Sequence, residues 1–156
     1  MTERDLLELC LECKTVGDSK TERLAFCTKL LDACEPLGSY AAEFTERRRR
    51  RTWDRIAMVC RGILKDQTCT ANEARQRLGI RSRAVFRNLV QYGGIAPLSD
   101  GRFIISAVAT SKFWFVRRRN GKVIDIGCRG LPLPADALKD WSFPRKPRRK
   151  RQQDAK

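Results

Sequence analysis

Acidic and basic side chains are unevenly divided along this chain, and the division falls at Glu46. Residues 1–46 carry five basic and ten acidic side chains, a net of −5, whereas residues 47–156 carry a net of +20. A segment with that much like charge folds only with its cations turned outwards, and it repels itself until a polyanion or an acidic surface neutralises it. A charge run is ordinarily just a solvated face. A net of +20 goes beyond that and points to nucleic acid ahead of an acidic protein or a membrane surface. The acidic part then has a different task, such as self-association or docking of a partner.

At 156 residues with 42% hydrophobic side chains, the chain is long enough for one cored domain with an accessory helical segment and tails. The expected fold is mostly α with a small β part. Its expected parts are an acidic helical association segment (1–46), a basic domain with an extra β-hairpin (47–130) and a Pro-containing basic tail (131–156). In the first part, Thr2 caps a helix with Leu6, Leu9, Cys10 and Cys13 at helical spacing, which Gly17 and Asp18 break. Ser19 and Glu22 have the spacing of a capping box, and Leu24, Cys27, Leu31 and Cys34 follow as one stripe. Pro36 and Gly38 are expected to end this pair. Ser39 then caps a third helix with Tyr40 and Phe44, which runs into Arg47–Arg51. Residues 2–35 expose apolar stripes and are expected to form a homodimer or hold a partner protein.

From Trp53 onward the signals are sharper. Trp53, Ile56, Ala57, Cys60, Ile63 and Leu64 make a helix that stops near Lys65. Thr70 and Glu73 form a second capping box, opening a short helix to Leu78, and Gly79 suits the position just past a helix end. Ser82 caps a helix Arg83–Tyr92 that buries Val85, Phe86, Leu89 and Val90 and ends at Gly93-Gly94. Ile95, Leu98, Phe103, Ile104 and Ile105 then read as strands around a Ser99-Asp100-Gly101 turn. The run from Trp53 to Ser106, with TANEARQRLGIRSRAVFRNLVQYGGIAPLSDGRFIIS at its centre, resembles a winged helix-turn-helix domain. The resemblance covers about a third of the chain and lies in the order of elements. It implies that Ser82–Tyr92 is the recognition helix, that Arg81, Arg83, Arg87, Asn88 and Gln91 face the nucleic acid, and that the Ser99–Arg102 turn is the wing, with Arg102 on a phosphate. Arginine, asparagine and glutamine are the side chains that read guanine and adenine edges in a major groove.

A second hairpin is expected from Phe113 to Ile126, turning at Asn120-Gly121, the strongest short type I′ signal. Its tip carries Arg117, Arg118, Arg119 and Lys122, and a β-ribbon is narrow enough for a groove. Alternation places Trp114 opposite Phe113 and Phe115, so two of these aromatics face a core and Trp114 is left for a ligand or partner. A short helix is expected around Ala135–Trp141. Pro144–Lys156, with seven basic residues and few apolar ones, is expected to be disordered until bound. Two runs have the composition of nuclear-import signals: Arg47, Arg48, Arg49, Arg50 and Arg51, and Arg145, Lys146, Arg148, Arg149, Lys150 and Arg151.

Seven cysteines at irregular spacing argue against a secreted disulfide framework and for a reducing compartment. Cys10 and Cys13 form a CxxC, which Cys27 and Cys34 would complete as a zinc site, and a regulatory disulfide between Cys10 or Cys13 and the second helix is a further alternative, but all four sit on apolar helical faces and burial as small hydrophobes is the preferred reading. The chain has no histidine, so Ser-His-Asp and Cys-His catalysis and mixed Cys/His zinc sites are excluded. The eight acidic residues of the basic part are scattered and do not suggest a metal-dependent nuclease. No apolar run approaches a membrane span, and MTERDLLELC is too acidic for a secretory signal. The expectation is a non-enzymatic nuclear protein without a cofactor, small in the manner of a viral accessory protein. It would bind DNA in preference to RNA and act in transcription or replication. The alternatives are an RNA binder, such as a viral suppressor of RNA silencing, and an interaction adaptor with an acidic partner.

Overall fold

A computed structural model describes residues 1–46 and 48–138. The described chain is mostly helical with two small antiparallel strand pairs, the expected fold class. The described residues divide into two compact units, one up to residue 110 and one from residue 111.

In the first unit, α1 (Glu3–Glu12) opens on a complete capping box, with the Thr2 hydroxyl accepting from Asp5 N–H and the Asp5 carboxylate accepting from Thr2 N–H. Its buried face is Leu7, Cys10 and Leu11, with Cys13 just beyond. The stripe expected through Leu6 and Leu9 is rotated from this: both are half-buried at the edge. Helix α2 (Lys20–Ala33) starts where expected, but Ser19 makes no capping bond. The Glu22 carboxylate instead lies where a Cβ on Gly17 would stand. The stripe expected on α2 also splits: Phe26, Cys27, Leu30 and Cys34 are buried, whereas Leu24 and Leu31 are 40% and 42% exposed.

Helix α3 (Glu35–Glu46) corrects the expected break at Pro36 and Gly38. Proline is tolerated in a first helical turn, where its missing N–H has no intrahelical acceptor. Gly38 lies inside the helix, and a Cβ there would come to 3.4 Å from the backbone of Leu30 and Leu31, so glycine lets α2 and α3 pack closely. Ser39 is not a cap; its hydroxyl donates back to the Pro36 carbonyl at 3.1 Å. Helix α4 (Arg49–Gln67) is separate from α3, with Arg48 as its N-cap, and Arg49–Arg51 form its exposed first turn. The four helices share a core centred on Leu7, Leu30, Leu37, Ile56 and Leu64. Trp53 closes one end of it, with Phe26 edge-on at 5.8 Å, Phe44 at 5.9 Å and the Arg23 guanidinium over its ring at 4.9 Å.

From α4 the chain passes through β1 (Thr68–Cys69), α5 (Ala71–Arg77), α6 (Arg83–Gln91), β2 (Phe103–Ile104) and α7 (Ile105–Thr110). Both expected caps form, Thr70 with Glu73 on α5 and Ser82 with Val85 on α6, and Gly79 has the positive φ its place requires. The 95–105 segment is not the expected two-stranded hairpin. Strand β2 pairs with β1, in the register Thr68↔Ile104 and Cys69↔Phe103. The Ser99 turn is closed by Leu98 N–H donating to Arg102 O at 2.7 Å, and Ile105 begins a helix instead of extending a strand.

In the second unit, β3 (Phe113–Arg119) and β4 (Lys122–Arg129) pair antiparallel around Asn120-Gly121, both with positive φ as a type I′ turn demands. Phe113 and Phe115 share one face with rings stacked at 6.4 Å, and Trp114 stands on the other, as alternation implies. The helix expected at Ala135–Trp141 is a 3-10 turn at Ala135–Leu138. Arg47, Trp141 and the Pro144–Lys156 tail, with Arg145, Lys146, Arg148, Arg149, Lys150 and Arg151, lie outside the described residues.

Candidate nucleic-acid interface

Helix α6 is strongly two-sided. Val85 and Phe86 are buried, and Phe86 meets Phe103 of β2 edge-on at 5.4 Å. Arg83, Arg87, Asn88 and Gln91 are all exposed, and no acidic residue lies on the helix. Arg81, just before the helix, is exposed as well. The turn that aims α6 is clamped by a residue the sequence reading passed over. Arg75 on α5 donates from one guanidinium nitrogen to the carbonyls of Ile80, at 3.1 Å, and Arg81, at 2.6 Å. Ile80 is buried beneath it, so the five-residue connection between α5 and α6 is held from both sides. Tyr92, the C-cap of α6, was also missed; it is 82% exposed and stands beside Gln91. Its signal lay in its place, a large aromatic at the last helical turn before a glycine pair with no core to enter.

The Ser99 turn is engaged by the first helix. Glu8 of α1 accepts from the Ser99 backbone and hydroxyl, Arg4 donates to the Pro97 carbonyl at 2.6 Å, and Glu3 accepts from Ser106 at 2.6 Å. Glu8, Glu12 and Asp100 line the hollow beside the turn together with Lys14, and Glu8 and Glu12 are ion-paired with Arg4 and Lys29. Arg102 is half-buried, close to Glu73 and Cys69.

A second cationic cluster lies at the start of α4. Arg49 and Arg50 share a hollow with Lys20, Arg23, Phe44, Asp18 and Asp54, and Arg23 is paired with Asp18. Arginines in a first helical turn oppose the helix dipole, and an anion there would relieve both charges.

On the ribbon of the second unit, Arg117, Arg118, Arg119 and Lys122 are exposed around the turn. Arg118 donates to the Gly121 carbonyl at 3.3 Å, which ties one arginine to the tip backbone. Trp114 is 44% exposed and directly opposite Cys128, with Ile124 exposed further along the same ribbon.

The four candidate zinc ligands do not form one group. Cys34 is the C-cap of α2. Cys10 and Cys13 instead meet Cys60 of α4, which the sequence places on that helix's apolar face but, 47 positions from Cys13, does not connect with the CxxC. Among the described residues no group of three or more His, Cys, Asp or Glu is arranged to hold a metal ion. Also among the described residues, no helix is long and apolar enough to cross a membrane. No protein-family model, curated protein or solved structure matches this chain.

Proposed function

We propose that this chain is a nucleic-acid-binding regulatory protein of the winged-helix kind that reads duplex DNA with α6, in transcription or replication. The observation that carries the reading is α6 itself. It buries Val85 and Phe86 while holding Arg83, Arg87, Asn88 and Gln91 in solvent, on a turn clamped by Arg75. Side chains at i, i+4 and i+8 along one helix reach successive base edges in a major groove, and an arginine binds guanine through two parallel hydrogen bonds. The order α4, β1, α5, α6, β2 with β1 paired to β2 supports the same reading. The Ser99 turn, engaged by Glu8, adds little phosphate binding, so the positioning contacts fall to Arg81 and the arginines at the start of α4. A nuclear site of action fits a DNA ligand. Leu24 and Leu31, exposed on α2, remain the place where a second copy or partner would sit.

A second reading rests on the ribbon, where an exposed Trp114 stands on the same hairpin as four cations; this suits single-stranded RNA or DNA. The deciding experiment starts from duplexes selected from a random pool and measures binding by anisotropy against salt, for duplex DNA, duplex RNA and single strands. Arg83→Ala and Arg87→Ala are each expected to lose about 1–3 kcal/mol of discrimination between selected and random duplex. If Arg118→Ala abolishes binding while both α6 variants keep affinity and preference, the α6 reading is wrong and the ribbon takes its place. Weak binding to all three ligands even at low salt would favour an adaptor for an acidic protein.

A further inference from the structure

Three thiols from two helices meet at the α1–α4 contact. The Cys60 side chain lies within hydrogen-bonding reach of the Cys10 and Cys13 sulfurs. All three also line a hollow of about 330 Å³, whose other walls are Lys14, Val16, Trp53, Ala57 and Arg61. The thiols are therefore neither dispersed through the core nor sealed inside it. Cys13 is the member at the rim, 6% exposed, against 0% for Cys10 and 1% for Cys60.

We propose that Cys13 and Cys60 form a peroxide-sensitive dithiol that closes to a disulfide bridging α1 and α4. The electrostatics favour Cys13 as the first to react. Hydrogen bonding with Cys60 holds both the Cys10 and the Cys13 thiol below the ordinary value, against the opposing effect of burial, and Arg61 and Arg23 add to the lowering at Cys13 alone. Cys60, keeping the shared proton, is pushed up. The thiolate is the form that attacks a peroxide.

In the first step the Cys13 sulfur bonds to one peroxide oxygen, the O–O bond breaks and hydroxide leaves; sulfur is oxidised and the peroxide reduced. In the second step Cys60 gives up its proton and attacks that sulfur. The S–S bond forms, the S–O bond breaks, and the oxygen leaves as water once protonated. Two thiols and one hydrogen peroxide give one disulfide and two waters. Cys60 faces two sulfurs but can bond to one, so the bridge leaves Cys10 free. This inference is independent of nucleic-acid binding.

The test uses the full chain, reduced, exchanged into metal-free buffer and treated with one equivalent of hydrogen peroxide. It is then alkylated in denaturant and mapped by mass spectrometry. All seven cysteines are free thiols in the reduced chain. The expected result is the loss of two alkylatable thiols, an intact mass lower by about 2 Da, and full reversal by dithiothreitol. The tryptic peptides 5–14 and 56–61 should be cross-linked. Because Cys10 and Cys13 share the first of these, fragmentation within it locates the bond. A Cys128→Ser chain removes the exposed thiol and should give the same intramolecular link. A bond at Cys10, a Cys10–Cys13 loop, or peptide 56–61 recovered fully alkylated would each overturn the proposal. So would thiols that resist both peroxide and alkylation because the purified chain carries stoichiometric zinc. The mapping needs no substitution in the core, so it does not depend on a variant that folds poorly.

Discussion

Glu8 accepts hydrogen bonds from both the backbone N–H of Ser99, at 3.1 Å, and its hydroxyl, at 2.6 Å, across 91 residues of chain. This pair ties the acidic first helix to the turn that follows α6. The acidic segment is therefore part of the same compact unit as the basic helices, and some of its negative charge is placed against the Ser99 turn. A carboxylate holding two donors contributes more than a neutral pair, but partial exposure of Glu8 reduces this through solvent screening. Glu8→Ala is expected to cost about 1 kcal/mol in urea unfolding. It should leave nucleic-acid affinity unchanged or raised, since it removes a negative charge beside the turn. A clear loss of affinity in Glu8→Ala, with the fold intact, would show that the turn must be held by α1 to bind.

Phe86 and Arg87 are adjacent on α6, one buried and the other exposed, so they separate stability from recognition. Phe86 is buried against Phe103. Phe86→Ala opens a core cavity and is expected to cost about 3–5 kcal/mol. Arg87→Ala, at an exposed position, should shift the unfolding midpoint by less than about 0.5 kcal/mol. Equal losses in the two variants would mean that Arg87 is a structural residue.

Gly127 and Phe115 are direct partners across the ribbon, and the Phe115 ring lies over the glycine, where an added Cβ would fall 2.3 Å from a ring carbon. An aromatic ring covering a cross-strand glycine supplies the packing that the glycine lacks. Gly127→Val must displace that ring and its stacking on Phe113, at a cost of about 1–3 kcal/mol to the ribbon. Amide chemical shifts should change across 113–129. Unchanged shifts around Phe115 would show that the ring does not pack over Gly127.

The parts of the fold that were legible in the sequence are those set by local chemistry. Thr70 with Glu73, Ser82, Gly79 and Asn120-Gly121 each fix a cap or a turn through bonds within a few residues, and all appear where their spacing places them. The failures are cases where a distant contact decided. Glu22 turned to Gly17 rather than to Ser19; Gly38 continued a helix because α2 needed close approach; and β2 paired with β1, 35 residues away, rather than with the 95–98 segment. At the candidate interface the exposed residues of α6 were readable from helical periodicity. Arg75 was not, because its role is to hold two carbonyls across the turn that its own helix leads into. Cys60 was not, because nothing in a CxxC indicates which distant helix lies against it.

The capping boxes make two helix starts sensitive to acid. Glu73 accepts from the Thr70 backbone N–H at 2.7 Å and from its hydroxyl at 2.9 Å. These bonds, the backbone one first, hold its carboxyl below the ordinary 4.5. Asp5 at the start of α1 is held below 3.8 for the same reason. A carboxyl depressed on folding contributes stability that is fully present above its unfolded value and is lost as pH falls through the lower, folded value. The start of α5 should therefore fray below about pH 4.5, and that of α1 in still stronger acid. Backbone carbon shifts of residues 70–74, followed from pH 6 downward, measure this. Glu73→Gln keeps an oxygen that accepts from Thr70 N–H but does not titrate, so the variant should hold the start of α5 through the acid range while the start of α1 still frays. If wild type and Glu73→Gln lose the α5 shifts at the same pH, another group governs the transition and the Thr70–Glu73 box is not what acid breaks.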